Sequence, residues 1–135
     1  MVKSIRTFGL IAMAALLAGA APPQQGIEGV YQNAHRTIRL RLAPCGDALC
    51  ATVVWATDKA RADARKGSGR ELIGSQLLTD LRPTGPGKWR GKAYVPDLDR
   101  RATATVVRTR VDELRVSGCV LGGLICQSRH WGRID

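Results

Sequence analysis

The sequence predicts one all-β domain, folded as a small antiparallel up-and-down barrel of about seven or eight strands. Apolar and polar residues alternate in short runs, turn-forming Gly, Pro and Asp residues separate the runs, and no run keeps a helical period. Short connections between successive strands are typical of up-and-down barrels. A β-sandwich made of the same strands is the alternative.

The N-terminal 20 residues have the features of a secretory signal peptide. Lys3 and Arg6 precede an apolar run from Phe8 to Leu17, and small residues follow up to Ala20. The run is shorter than the ~20 residues that a transmembrane helix needs. We therefore expect cleavage after Ala20, a periplasmic or secreted protein and no transmembrane segment. Position 20 is not a cysteine, so we do not expect a lipoprotein.

The remaining chain is long enough for one domain with a modest core. Residues 1–20 are assigned to the signal peptide, residues 21–28 to a polar linker rich in Pro and Gln, and residues 29–135 to a single barrel domain.

Four cysteines in an extracytoplasmic chain indicate two disulfides. Cys45 and Cys50 enclose one turn and Cys119 and Cys126 enclose another, which favours the local pairs Cys45–Cys50 and Cys119–Cys126 over the other connectivities. Each short loop restricts the unfolded chain by about 2 kcal/mol in the loop-entropy model. We expect no metal site and no cofactor, because an oxidising compartment favours disulfides over zinc.

The strands are assigned in chain order from their alternation. A first strand begins at Gly29, and in the second Ile38, Leu40 and Leu42 alternate with arginines. The segment from Thr57 to Glu71 has many charges and almost nothing to bury, so we predict a mobile basic loop there. Residues 72–81 fit a short helix or a strand equally. The later strands are residues 51–56, 89–94, 101–109, 113–119 and 125–133.

Several segments, in this order, resemble the domain-of-unknown-function family 2147. The resemblance implies a secreted bacterial protein with a small lipocalin-like barrel and no established activity. The segments are Gly29-Val30-Tyr31, Cys45 to Cys50, Trp89 to Asp97, Leu114 to Cys126 and Trp131-Gly132-Arg133.

The resemblance also implies how the barrel closes. Lipocalin-like barrels commonly have G-x-W in the first strand and an arginine in the last strand that lies over the indole ring. Gly29, Tyr31 and Arg133 occupy the matching positions here, with tyrosine in place of tryptophan. We expect Arg133 to contact the face of the Tyr31 ring, more weakly than it would contact tryptophan. Arg129 is a second difference from the family pattern, which usually has glutamine at that position.

Alternation in the last two strands predicts which side chains face the barrel interior. If the apolar residues of the range 114–118 face inward, Gln127, Arg129 and Trp131 face inward as well. A buried arginine is costly without a partner, so we expect Arg129 to meet an internal carboxylate or an anionic ligand head group. The alternative is a strand end at which Arg129 reaches solvent.

The predicted function is the binding of a small hydrophobic or amphipathic ligand in the barrel, with an anionic ligand as one option. Small side chains at Ala102, Ala104 and Val106, with few aromatic residues, favour a lumen with room for a ligand over a filled one. The candidate ligand-binding residues are Arg129, Gln127, Trp131, Trp89 and Trp55.

A net charge of +10 suggests an alternative, a basic envelope protein that binds anionic lipid or polymer through its surface. Solubility alone is the other explanation of this charge, and nucleic acid is not an expected partner outside the cell. The arginines and lysine concerned are Arg36, Arg39, Arg41, Arg61, Arg65, Lys66, Arg70, Arg100, Arg101, Arg108 and Arg110.

We expect no catalytic residues and no enzymatic activity. His35 and His130 are the two histidines, and neither has the spacing of a metal ligand. No serine lies in a nucleophile elbow, and Asp97 and Asp99 have the pattern of a turn.

Overall fold

The computed structural model describes residues 26–120 and 122–135, so the predicted signal peptide lies outside the described residues. Each strand pairs with its neighbours in the chain, and the last pairs with the first to close an antiparallel barrel of eight strands. The predicted fold class is confirmed, and the β-sandwich alternative is wrong. The elements are β1 Gly29–Asn33, β2 Ile38–Cys45, β3 Ala48–Ala56, α1 Asp58–Ser68, β4 Gln76–Gly85, β5 Lys88–Val95, β6 Arg100–Arg110, β7 Glu113–Val120 and β8 Ile125–Arg133.

The core fills the barrel because alternate residues of each strand point inward. Leu40 and Leu42 of β2 are buried while Arg41 between them is exposed. Ala104 and Val106 of β6 are completely buried in the same way. Among the described residues, no polar or charged residue belongs to the fully buried class.

The barrel has two ends, which we name by their turns. The upper end has the β1–β2, β5–β6 and β7–β8 turns together with α1, and the lower end has the remaining turns and both ends of the described chain. No helix among the described residues is long and apolar enough to cross a membrane.

Two disulfides fix hairpins at opposite ends of the barrel. Cys45 is bonded to Cys50 at the β2–β3 turn, and Cys119 is bonded to Cys126 at the β7–β8 turn. This is the local pairing that the sequence favours. Cys119 and Cys126 are directly opposed in the strand register, so their bond holds the upper part of the β7–β8 hairpin together.

The prediction of a mobile basic loop from Thr57 to Glu71 is wrong, because Asp58–Ser68 form helix α1. Thr57 is its N-cap, with a side-chain oxygen that accepts from the Ala60 N–H at 3.2 Å. Gly69 follows the last turn and donates its N–H to the Arg65 carbonyl at 2.8 Å. A threonine before an acidic first turn and a glycine after the last turn are the signals that the charge-based prediction overlooked.

Helix α1 is attached to the barrel by a close backbone contact and by ion pairs. A Cβ atom on Gly67 would lie 2.1 Å from the Asp97 carbonyl oxygen in the β5–β6 turn, so only glycine permits this approach. Arg61 donates from Nε to Glu71 Oε1 at 2.8 Å, and Arg65 donates to the other oxygen of Glu71. Glu71 therefore ties both arginines of the helix to the segment that leads into β4.

These contacts predict a pH-dependent attachment of α1. Hydrogen bonds from Arg61 and Arg65 lower the pKa of Glu71 from 4.5 to about 2. Because the pKa of Glu71 is lower in the folded protein, its ion pairs stabilise the attachment of α1 fully at pH values above 4.5, the unfolded pKa. This stabilisation is lost as the pH falls towards 2 and Glu71 is protonated. Glu71→Gln should therefore speed amide hydrogen exchange in α1 at neutral pH and remove this acid-dependent step.

The matched control is Glu28→Gln, which changes a carboxylate that precedes β1 and should leave exchange in α1 unaltered. Equal rates of amide exchange in α1 for the wild type and Glu71→Gln, from neutral pH down towards pH 2, would contradict the role of Glu71 in attaching α1. Barrel amides serve as the internal reference in each sample.

Candidate functional site

The upper end of the barrel is uneven because β1 is short. Only three of the nine β8 residues pair with β1, in the register Tyr31–Arg133, Gln32–Gly132 and Asn33–Trp131. Residues 125–130, which we call the free segment of β8, continue past the β1–β2 turn while still pairing with β7. The β7–β8 hairpin therefore rises above its neighbour on one side.

The strand register places the three predicted β8 residues on the inner face. Directly opposed residues of an antiparallel pair share one face of the sheet, and Leu114 belongs to the buried core. The side chains that oppose the inner face of β7 therefore also point inward. The opposed pairs are Leu114–Trp131, Val116–Arg129 and Gly118–Gln127.

Arg129 and Gln127 are nonetheless exposed, because this part of the inner face lies beyond β1. Arg129 donates from Nη2 to Gln127 Oε1 at 2.8 Å and from Nη1 to the Ser128 carbonyl at 3.2 Å. Among the described residues, no carboxylate forms an ion pair with Arg129. The structure thus brings Arg129 to solvent at the barrel mouth, the second of the two alternatives that the sequence left open.

Below Arg129 lies a small apolar cavity of about 20 Å³, lined by Tyr31, Leu42, Val116 and Trp131 among others. A space of this size holds about one water molecule, whereas ligand pockets are on the order of 300 Å³ or more. The lumen is more completely filled than its small side chains predict. Tyr31 and Trp89, which are 3% and 5% exposed, occupy much of the space. Half-buried Trp131 lies at the mouth.

Trp89 and Trp55 lie away from the mouth. Trp89 is buried opposite Val106, and its indole N–H has no hydrogen-bond partner among the described residues.

Trp55 lies on the outer surface, 38% exposed, with the Arg39 guanidinium 4.6 Å from its ring centre. The assignment of Trp55 to the ligand site is therefore corrected. Simple alternation from buried Val53 would turn Trp55 inward, but the β2–β3 register shifts between Arg39 and Leu40. The extra residue of this irregularity reverses the direction of Trp55.

Gly29, Tyr31 and Arg133 come together where β1 meets β8. Gly29 has φ 150°, and a Cβ atom there would lie 3.0 Å from Arg133 Nε. Arg133 Nε donates to Asp135 Oδ1 at 3.1 Å, and the same oxygen accepts from the Val30 N–H at 3.0 Å. Arg133 therefore joins the first strand to the end of the chain through Asp135.

The sequence predicts that the Arg133 guanidinium stacks on the Tyr31 ring, and the structure does not show this contact. The guanidinium–ring contacts among the described residues are Arg39–Trp55 and Arg101–Tyr94. Burial raises the pKa of Tyr31, and the nearby charges of Arg133 and Arg108 oppose that rise. Arg108, which the sequence assigned to the basic surface, is opposite the core residue Leu114 and is only partly exposed.

Three of the other predicted surface cations form ion pairs. Arg61 and Arg65 bind Glu71, and Arg110 Nε lies 3.6 Å from Glu113 Oε2. No group of His, Cys, Asp or Glu side chains within the ranges 26–120 and 122–135 could hold a metal ion.

Comparisons with known proteins show a family and a similar fold and assign no activity. A family model described as "uncharacterized protein conserved in bacteria (DUF2147)" matches residues 29–133. A solved structure of protein HP1028 from Helicobacter pylori, described as belonging to the lipocalin family, has a TM-score of 0.61 and 18% identity. The match covers 80% of this chain and 82% of that chain. No curated protein matches the sequence.

The geometry at the β1–β8 closure predicts a stabilising role for Arg133. Arg133→Ala removes the contact with Asp135 and the packing against Gly29, and should lower the free energy of unfolding by about 1–3 kcal/mol. Arg115→Ala, on the exposed outer face of β7, is the matched control and should change it by less than about 0.5 kcal/mol. Urea denaturation measures both, and equal effects of the two variants would contradict the role.

Proposed function

We propose that this chain, which belongs to the DUF2147 family of uncharacterised bacterial proteins, binds a small amphipathic anion at the upper mouth of its barrel. The observation that carries the proposal is the order of side chains along the inner face of β8. Trp131 lines the apolar cavity, and Arg129, the next inner residue, presents an exposed guanidinium. Apolar and cationic surfaces thus follow one another on a single strand.

The spacing of these side chains fits a short amphipathic molecule. Inner residues of one strand are about 7 Å apart, because each residue advances the chain by about 3.3 Å. A carboxylate at Arg129 would therefore leave the first few carbon atoms of its chain beside Trp131. Gln127 already holds one guanidinium nitrogen in place, so part of the ordering of Arg129 precedes binding.

Typical contributions of an exposed ion pair and of buried CH₂ groups set an upper limit on the affinity of this site for an amphipathic anion. An exposed ion pair contributes about 0–1 kcal/mol, and each buried CH₂ group contributes about 0.8 kcal/mol. Four buried CH₂ groups and the ion pair give about 4 kcal/mol, which corresponds to a dissociation constant of about 1 mM. Burying four CH₂ groups requires Trp131 to move outward, because the cavity of about 20 Å³ holds about one water molecule. This movement and the entropy cost of association make a dissociation constant of about 1 mM the tightest that these contacts allow.

We also propose that the protein works in the periplasm or outside the cell. Two disulfides support this location, since such bonds persist in oxidising compartments. Binding of anionic lipid or polymer through the outer surface has less support, because Arg61 and Arg65 already bind Glu71. The proposed role is binding, without catalysis.

Matched pairs of carboxylates and alcohols test the site directly. Hexanoate and decanoate should quench or shift Trp131 fluorescence more strongly than hexanol and decanol at equal concentration. In Arg129→Gln the preference for the carboxylate should fall by about fivefold, the equivalent of about 1 kcal/mol. Trp55→Phe and Trp89→Phe backgrounds assign the signal to Trp131.

The control for charge is Arg115→Gln, which removes an exposed arginine from the outer face of β7. This variant should keep the full preference for carboxylates. If neither chain length produces a Trp131 signal, or if both arginine variants behave alike, the proposed site is wrong.

A further inference from the structure

The backbone of β8 shows which of its polar groups face β1. The Arg133 N–H donates to the Asp112 carbonyl on the β7 side at 2.7 Å, and the Ile134 N–H donates to the Val30 carbonyl in β1 at 2.9 Å. Backbone groups of successive residues in a strand point to opposite sides. Odd-numbered β8 residues therefore bond to β7, and even-numbered residues face β1.

This alternation leaves an open edge along the free segment of β8. β1 ends at Asn33, and no strand among the described residues pairs with residues 125–130 on that side. The N–H groups of Cys126, Ser128 and His130 and the C=O groups of Cys126 and His130 therefore face an unfilled strand position. The Ser128 C=O points to the same side but accepts from Arg129 Nη1 at 3.2 Å. Open strand edges are templates for pairing with another chain.

A groove of about 260 Å³ runs along the paired part of β1 and β8, where Gln32, Gly132 and Ile134 line it, and reaches the end of β1. At this end its lining includes Asn33, the last residue of β1, together with Ala34 and Arg36 from the β1–β2 turn and His130 from the free segment. An added strand that continues the line of β1 would place an outward side chain in this groove. The site therefore offers both backbone partners and a side-chain pocket, the two parts of recognition by strand addition.

The edge is held rigid before any partner arrives. The Cys119–Cys126 disulfide links the two strands of the hairpin, and Ser117 Oγ lies 2.6 Å from Ser128 Oγ across them. At the tip, Leu124 is 86% exposed. A preorganised edge loses little conformational entropy on binding, and the exposed tip adds apolar surface for contact.

We propose that the free segment of β8 docks an extended, acidic peptide segment of a partner protein, which adds to the barrel in line with β1. Charge selects this occupant, since exposed Arg36 lines the groove and exposed Arg129 lies on the inner face of the free segment. The one acid of the groove, Glu113, is engaged by His130 at 3.1 Å and by Arg110 at 3.6 Å. A second copy is disfavoured because two free segments would bring like charges together.

The test uses the full-length secreted protein and a fluorescent peptide, Thr-Glu-Val-Glu-Val-Glu-Thr-Glu, with its Lys-for-Glu counterpart as the control. The acidic peptide should slow amide hydrogen exchange at Ser128 and His130 and leave Gln127 unchanged, because Gln127 already bonds to β7. The Lys peptide should bind at least about tenfold more weakly, and added salt should weaken the acidic peptide.

A pair of variants separates backbone docking from side-chain contact. Ser128→Pro removes the N–H that faces the open side and should weaken peptide binding by about tenfold or more, whereas Ser128→Ala keeps this N–H and should bind within about twofold. Far-ultraviolet circular dichroism checks folding. If Ser128→Pro is unfolded, the exchange pattern of the wild type decides alone.

Several results would overturn the inference. These are the absence of binding at about 1 mM peptide, protection that omits Ser128 and His130, equal binding of both peptides, or full binding by folded Ser128→Pro. A wild-type dimer in sedimentation without peptide, with Ser128 and His130 protected, would assign the edge to a second copy instead. Arg129 contributes charge to both proposed sites, so peptide binding is measured without added carboxylate. Slowed exchange at Ser128 and His130 reports docking at the edge, and the Trp131 signal reports binding at the mouth.

Discussion

The closure between β1 and β8 is the constraint on which the rest of this molecule depends. A barrel must pair its first and last strands to remove its edges, and here only Tyr31, Gln32 and Asn33 supply partners to β8. The contact is reinforced at the lower end by Arg133 and Asp135. Because it is so short, the same closure leaves the upper half of β8 without a neighbour.

Both proposed interactions use residues 125–130 of β8, which pair with β7 but not with β1. Its odd-numbered side chains face inward, so Arg129 reaches the mouth beside the apolar cavity. Its even-numbered backbone groups face the side of β1, so the Ser128 N–H and both backbone groups of His130 remain available to another strand, while the Ser128 carbonyl accepts from Arg129. A longer β1 would bury Arg129 without a carboxylate partner, at a large desolvation cost, and would cover the edge as well.

The sequence was sufficient for features set by local pattern. Alternation predicted the barrel and the inner face of β8, and short spacings predicted both disulfides. Prediction failed where a feature depends on helix caps or on strand register. The helix that begins at Asp58 was missed because the charge of the segment was given more weight than its Thr57 cap. Trp55 was assigned to the wrong face because one irregular residue in the β2–β3 pairing reverses its direction. The open edge could not be found this way, because it depends on the relative lengths of two strands at opposite ends of the chain.

Amide hydrogen exchange of the isolated protein tests the closure most directly. The account predicts an alternating pattern in β8, in which Gln127 and Arg129 exchange at least about tenfold more slowly than Ser128 and His130. Protection of Ser128 and His130 equal to that of Gln127 and Arg129 would mean that β8 is paired along its whole length. That result would contradict the short closure, the open mouth and the docking edge together.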